Sequence, residues 1–273
     1  MSRGSKSTTL HAALILGAVI TLVPLFWMVS ASFMPAGEAS TYPPRLLPSA
    51  PTLDHYRSLF TRLHIGRSFL NSTIIALGIT GISLFFNSMA GYAFAKLRFG
   101  GRDRLFAMLL AALVIPTQIG MLPLFLMLKT VGLVNTYWGA IIPGMASIFG
   151  IFLMRQFMLS IPDDLLAAAR MDGAGEFRIY WSIVMPLARP ILVTLALFTF
   201  MTAWNDFMWP LIILTDESKY TLPVAVASLV GEHSQDIELM MASSVLTVLP
   251  VLVLFIVLQR YYIAGLMAGS VKG

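Results

Sequence analysis

Cysteine is absent from all 273 residues, which excludes disulfides, iron–sulfur clusters and thiol nucleophiles. Charge is scarce as well. Asp, Glu, Lys and Arg make up 11% of the chain, against about 25% in a soluble domain. With 58% hydrophobic residues and a mean hydropathy of +0.82, too little polar surface remains to clothe a water-soluble globule. No Gly-x-x-x-x-Gly-Lys-Ser/Thr segment occurs, so the chain lacks a Walker cradle for nucleotide phosphates. The four histidines (His11, His55, His64 and His233) are dispersed and read as exposed loop or interface residues rather than metal ligands. Neither a catalytic constellation nor a metal site emerges, and no cofactor is expected on this chain.

What the sequence does have is length of apolar run. A helix needs about 20 apolar residues to cross roughly 30 Å of hydrocarbon. Six stretches qualify, at about 12–33, 69–95, 105–128, 137–159, 187–214 and 239–262. None alternates in the ten-residue manner of an outer-membrane barrel, and backbone groups in lipid must be satisfied within each segment. The expected fold is therefore an all-α membrane protein with six transmembrane helices. Arg3 and Lys6 before the first stretch, and Val29-Ser30-Ala31 near its end, imitate a signal peptide. The run from Ala12 to Phe33 is too long for one, since a signal's apolar region spans about 7 to 15 residues.

Placing the amino terminus in the cytoplasm puts twelve Lys and Arg residues on the inner segments and six on the outer ones. That bias predicts a multi-pass cytoplasmic (inner) membrane protein with both termini cytoplasmic. The basic balance is read as topology and contact with membrane lipid, and no basic face or aromatic-basic motif points to nucleic acid.

One cytoplasmic connection is longer than its neighbours, at about 27 residues between the fourth and fifth stretches. Ser160-Ile161-Pro162-Asp163-Asp164 reads as a helix start, with a serine N-cap, an early proline and two carboxylates at the positive end of the dipole. Asp172-Gly173-Ala174-Gly175 reads as its stop. The helix between would be about ten residues, roughly 15 Å. Its run Leu165-Leu166-Ala167-Ala168-Ala169-Arg170-Met171 is small and apolar, as a helix that fills a partner's groove requires. An interfacial helix on the inner leaflet and a plain connector are equally open on these grounds.

The run Ile161-Pro162-Asp163-Asp164-Leu165-Leu166-Ala167-Ala168-Ala169-Arg170-Met171-Asp172-Gly173-Ala174, followed by Pro186-Leu187 and Pro190, resembles the EAA loop of bacterial ABC importer permeases. Pro43-Pro44-Arg45-Leu46-Leu47-Pro48, Asn71-Ser72, the Tyr92-to-Phe99 run, Trp204-Asn205-Asp206-Phe207-Met208-Trp209-Pro210 and the terminal Gly265-Leu266 to Val271-Lys272-Gly273 extend the likeness. They resemble the smaller subunit type of the maltose-transporter-like carbohydrate permeases. The resemblance implies a type I ABC importer permease fold with a cytoplasmic coupling helix between spans 4 and 5. It makes Asp164, Leu165, Ala167, Ala168, Ala169, Arg170, Asp172, Gly173 and Ala174 ATPase-coupling residues. It also implies a second permease subunit in a heterodimer, two ATPase subunits that bind ATP and Mg, an extracytoplasmic solute-binding protein and a carbohydrate substrate. Related permeases handle oligosaccharides, monosaccharides and glycerol phosphates. The glutamate that opens the family's EAA triplet aligns with Ala167, so a charge often presented to the ATPase is missing here.

Domain organisation follows the same plan: residues 1–66 as tail, first helix and outer loop, 67–262 as permease core with the coupling loop at about 160–189, and 263–273 as a cytoplasmic tail. Asp206 reads as the one carboxylate within a span. Thr199, Thr202 and Asp206 fall at i, i+3 and i+7 and form one polar stripe. With Trp204 as a stacking face and Asn205 as an amide, they are candidates for the solute pathway; a structural cap near the outer interface is the other reading. Ser83, Asn87 and Gly91 recur every four residues as a small polar seam suited to helix packing. The outer segments 34–67 and 215–238 are expected to meet the solute-binding protein. The alternative function is a stand-alone secondary transporter. Against it stand the single intramembrane carboxylate and the lack of a convincing inverted repeat.

Overall fold

A computed structural model describes residues 3–232 and 236–268, so His233 and the Val271-Lys272-Gly273 terminus lie outside the described residues. Helices are the only regular structure among them. In chain order they are α1 (Arg3–Ala31), α2 (Asp54–Thr61), α3 (Ile65–Lys96), α4 (Arg102–Ala111), α5 (Thr117–Thr130), α6 (Tyr137–Ile141) and α7 (Ile148–Leu159). The second half holds α8 (Asp163–Met171), α9 (Glu176–Ile179), α10 (Met185–Leu187), α11 (Arg189–Trp204), α12 (Met208–Ile213), α13 (Leu222–Glu232) and α14 (Ile237–Ala268). A π-helical turn, Tyr180–Val184, joins α9 to α10.

Three helices are long and apolar enough to cross a membrane unbroken, over Leu10–Ala31, Ile65–Lys96 and Ile237–Val257. Three further candidates are bent pairs, which brings the total to six if each pair is one span. Two of the bends have local causes. Ile115 precedes Pro116, whose ring pushes its neighbour out of the helical region, and Ile115 takes ψ 119°. The expected third span is accordingly two segments, Arg102–Val114 and Thr117–Thr130, bent by 103°. In the fourth, Ser147 is extended and caps α7 by accepting from the Gly150 amide, at a 43° bend. The last pair, Glu176–Leu187 with Arg189–Trp204, turns by 81° and begins within the stretch expected as the coupling loop, ahead of the apolar run expected from 187.

The chain divides into two compact units, Met1–Gly66 with Ala225–Pro250, and Arg67–Val224 with Val251–Gly273. In the first unit, Ala31, Met34 and Ala39 are buried with Trp27, Ile237 and Met241 against them. Glu238 is buried and accepts from the Ala39 amide at 2.7 Å. His55 is likewise buried rather than exposed: its Nε2 lies 2.9 Å from the Met34 carbonyl on the face of α2 that also buries Leu59. Desolvation opposes the charge on Glu38, yet hydrogen bonds from Ser49 and Arg45 outweigh it and hold the carboxyl below its usual range.

In the second unit, the seam on α3 faces α7. Asn87 is fully buried, donates to Ser83 Oγ at 2.7 Å and accepts from the Ser147 amide at 2.9 Å. A β-carbon on Gly91 would stand 2.6 Å from Met154 Cβ, so glycine is what lets the two helices touch. The core beside them joins Tyr92 and Ala95 of α3 and Met154 and Met158 of α7 to Leu166, Ile179, Tyr180 and Val184.

Candidate functional site

The coupling-loop candidates form a helix, but its start differs from the expectation. The N-cap is Pro162, which offers no side-chain hydrogen bond, and Ser160 turns back to donate to the Phe157 carbonyl. Pro162 is extended, with φ −60° and ψ 132°, and Asp163 and Asp164 occupy the first turn at the positive end of the dipole. At the other end Gly173 adopts φ +81°. Its amide bonds to the Arg170 carbonyl and the Ala174 amide to the Ala169 carbonyl, both at 3.0 Å. That pair of bonds is a Schellman closure, which satisfies carbonyls the helix would otherwise leave bare.

The nine-residue helix has two unlike faces. Leu166 is 1% exposed and enters the core, with Ala169 and Ala174 partly buried against it. Leu165, Ala167, Ala168 and Met171 are exposed, as are Asp164 and Asp172, and Met171 is 84% accessible. Phe177 and Trp181 of the following turn are also exposed. This is an uncovered apolar surface of the kind that marks an interaction site.

Arg170 does not point at this surface as a spare charge. Its Nε donates to Glu176 Oε1 at 2.7 Å and its Nη2 to Oε2 at 3.2 Å, while Tyr92 Oη of α3 donates to the same Oε2 at 2.7 Å. Arg170 first, then Tyr92, hold the Glu176 carboxyl below the usual carboxylate range; Glu176 in turn raises Arg170. At the helix start Lys96 Nζ donates to Asp163 Oδ1 and to the Ile161 carbonyl, each at 2.6 Å, and lowers Asp163. Tyr92, Lys96 and Glu176 were missed as partners of this helix in the sequence. The one available signal was Lys96 among the basic residues that end the Tyr92-to-Phe99 run.

The expected pathway stripe is not continuous. α11 ends at Trp204, and Asp206 lies in the short break before α12, where its Oδ1 accepts from the Trp209 amide at 3.4 Å. Asp206 is therefore outside any helix, and the i, i+3, i+7 spacing from Thr199 and Thr202 does not place it on one helical face. Trp204 is 1% exposed, stacked on Phe200 at 5.7 Å and edge-on to Phe69 at 5.3 Å, so its ring serves this chain's own packing. Thr202 and Asn205 are exposed, and Thr199 and Asp206 are half-buried.

The profile of the family described as "Binding-protein-dependent transport system inner membrane component" matches residues 87–266. The chain belongs to this family. As a permease it is 39% identical over 259 residues to the arabinooligosaccharides transport system permease protein AraQ of Halalkalibacterium halodurans, covering 94% of this chain and 93% of that one. It is 34% identical to the diacetylchitobiose uptake system permease protein NgcG of Streptomyces coelicolor, over 96% and 88% of the two chains. The sn-glycerol-3-phosphate transport system permease protein UgpE of Yersinia pestis is 30% identical, with 94% of each chain covered. A solved bacterial ABC transporter involved in the import of the acidic polysaccharide alginate contains a chain of the same fold. That chain has a TM-score of 0.84 and 27% identity, over 96% of the permease and 99% of its counterpart. The all-α fold and the permease reading of the sequence are borne out by these likenesses. The permease is a transport subunit of an ABC importer rather than an enzyme.

Proposed function

We propose that the permease imports a carbohydrate, with α8 as the coupling helix that a separate ATPase subunit grips. Both termini then lie in the cytoplasm, two ATPase subunits bind ATP and Mg, a second permease subunit completes the pathway, and a solute-binding protein delivers the sugar on the outer side. The observation that carries this reading is the form of α8: a short helix fastened on one face, closed by Gly173, and bare and apolar on the other. The absence of a Walker segment in a chain of this family demands a partner for energy. Sugar as the solute rests on what several relatives transport. Ala167 leaves the exposed face without the glutamate seen in the family, and Arg170 is committed to Glu176, so seating is by shape and apolar contact at Leu165, Ala168, Met171 and the Gly173 turn.

Thr202, Asn205 and Asp206, with Thr199 beside them, are proposed to line part of the solute pathway where α11 gives way to α12; Trp204 supports them from within. Copurification with an ATPase and a second permease, followed by sugar-dependent ATP hydrolysis in proteoliposomes, tests the function. Uptake by this chain alone would overturn it. Asp206→Asn tests the pathway: sugar uptake should fall, and unchanged uptake with unchanged sugar-stimulated hydrolysis removes Asp206 from it.

A further inference from the structure

Two ties, one at each end of α8, join it to the same stretch of α3. Lys96 reaches Asp163 and the Ile161 carbonyl at the start, and Tyr92 reaches Arg170 through Glu176 near the end. We propose that Tyr92, Glu176, Arg170, Lys96 and Asp163 form a strut that makes α8 and the Lys96 end of α3 one mechanical body, so that movement imposed on α8 is delivered directly to that span.

This rests on α8 being the coupling helix and adds how its motion leaves it. A single tie would leave α8 free to pivot about one end. Two ties, separated by most of a helix about 13 Å long, fix both its position and its direction. Leu166 sits between them in a core shared with Tyr92 and Ala95, which prevents the helix from lifting away. The Lys96 side chain is 4% exposed, and a buried ammonium holds its partners because separation leaves it unsatisfied. The Arg170–Glu176 fork is different. Both side chains are close to half exposed, at 40% and 45%, and an exposed ion pair adds little stability. Its value is geometric: the fork carries two bonds in one plane and the buried Tyr92 hydroxyl fixes the carboxylate's second oxygen. Tyr92 and Glu176 are therefore positioning residues, and removing their bonds should spare folding while loosening transmission.

The test uses the assembled importer in proteoliposomes with Tyr92→Phe, Glu176→Gln and the double variant. The ATPase should copurify at the wild-type ratio, while sugar taken up per ATP hydrolysed falls by about fivefold or more in the double variant, the lower end of a typical coupling. Wild-type uptake per ATP in the double variant overturns the strut. Loss of ATPase copurification with Tyr92→Phe overturns it too, because the bond would then serve docking. Since the chain has no cysteine of its own, spin labels at Arg98→Cys and at Gly175→Cys, an exposed position just past α8 that is not among the residues proposed to meet the ATPase, give a second reading in a complex whose partners also lack cysteine. The distance between them should be the same in nucleotide-free and ATP-bound states, and a shift between the states with the strut intact sinks the proposal. Gly173→Val separates this from the reading beneath it. If Gly173→Val transports normally, the coupling role of α8 fails; if it uncouples while the double variant transports normally, only the strut fails.

Discussion

Asn87 and Gly91 sit one turn apart on α3 and fasten α7 by opposite means. The Asn87 amide ties Ser83 to the extended residue Ser147, where α7 begins, and does so with no exposure to solvent or lipid. Gly91 supplies nothing except space. An added methyl would meet Met154 Cβ at 2.6 Å and the Arg155 amide nitrogen at 3.0 Å, and a backbone atom cannot rotate away. Gly91→Ala should therefore push the two helices apart at a cost of about 1–3 kcal/mol, the usual range for overpacking. A thermal unfolding scan of the purified permease in detergent would show a lower midpoint. Glu176 titrates in a predictable direction. Its carboxyl is held below the usual range, first by Arg170 and then by Tyr92, so its bonds are complete at neutral pH and are lost only as pH falls through that lowered value. Sugar uptake per ATP should accordingly not change through this group between about pH 5 and pH 8. If the wild-type complex loses coupling in that window and Glu176→Gln does not, the carboxylate is titrating where this environment forbids it.

Among the elements, α8 offers the sharpest separation of backbone from side chain. Gly173 has φ +81°, and no atom lies within 4 Å of where its β-carbon would be. Any penalty for a side chain there is conformational, about 1–2 kcal/mol for an ordinary L-residue. Asparagine tolerates the left-handed region better than a β-branched residue. Gly173→Asn should retain most uptake and Gly173→Val should uncouple hydrolysis from transport, with both proteins present in the membrane at equal levels on a blot. Equal uptake by the two would mean the turn is not what seats α8. Elements of this kind were largely legible beforehand, because the long apolar runs and the Gly173 stop act locally. What escaped was set by residues far apart in sequence. Trp204 looked available until Phe69, on another helix, closed over its edge, and the apolar run from 187 to 214 gave no sign that the helix ends at Trp204. Tyr92 and Glu176 are 84 positions apart, and no periodicity links them. The bend at Pro116 lies between: a proline there is enough to interrupt the helix, but the 103° size of the turn is not set by the proline alone.

At the scale of the whole molecule, the deciding fact is how much apolar surface the chain leaves uncovered. None of the apolar window of α1 is buried by the rest of the chain, and only 11% of that in Ile237–Val257 is. Lipid accounts for such helices, since hydrocarbon satisfies them without protein contact. It does not account for Met171, Phe177 and Leu165, which are exposed beside Asp164, Asp172 and the Arg170–Glu176 pair and need a partner with both apolar and polar surface. The chain is a binding-protein-dependent transport component, and the function proposed for it places the energy source in a partner ATPase. It follows that purified permease alone in liposomes should show no uptake of labelled oligosaccharide above a protein-free control, with or without a proton or sodium gradient. Adding the second permease and the ATPase with ATP inside and the binding protein outside should start uptake, and Met171→Asp should stop it while leaving the permease pair assembled. Gradient-driven accumulation by the single chain would place the energy source within these helices and make the bare face of α8 an ornament.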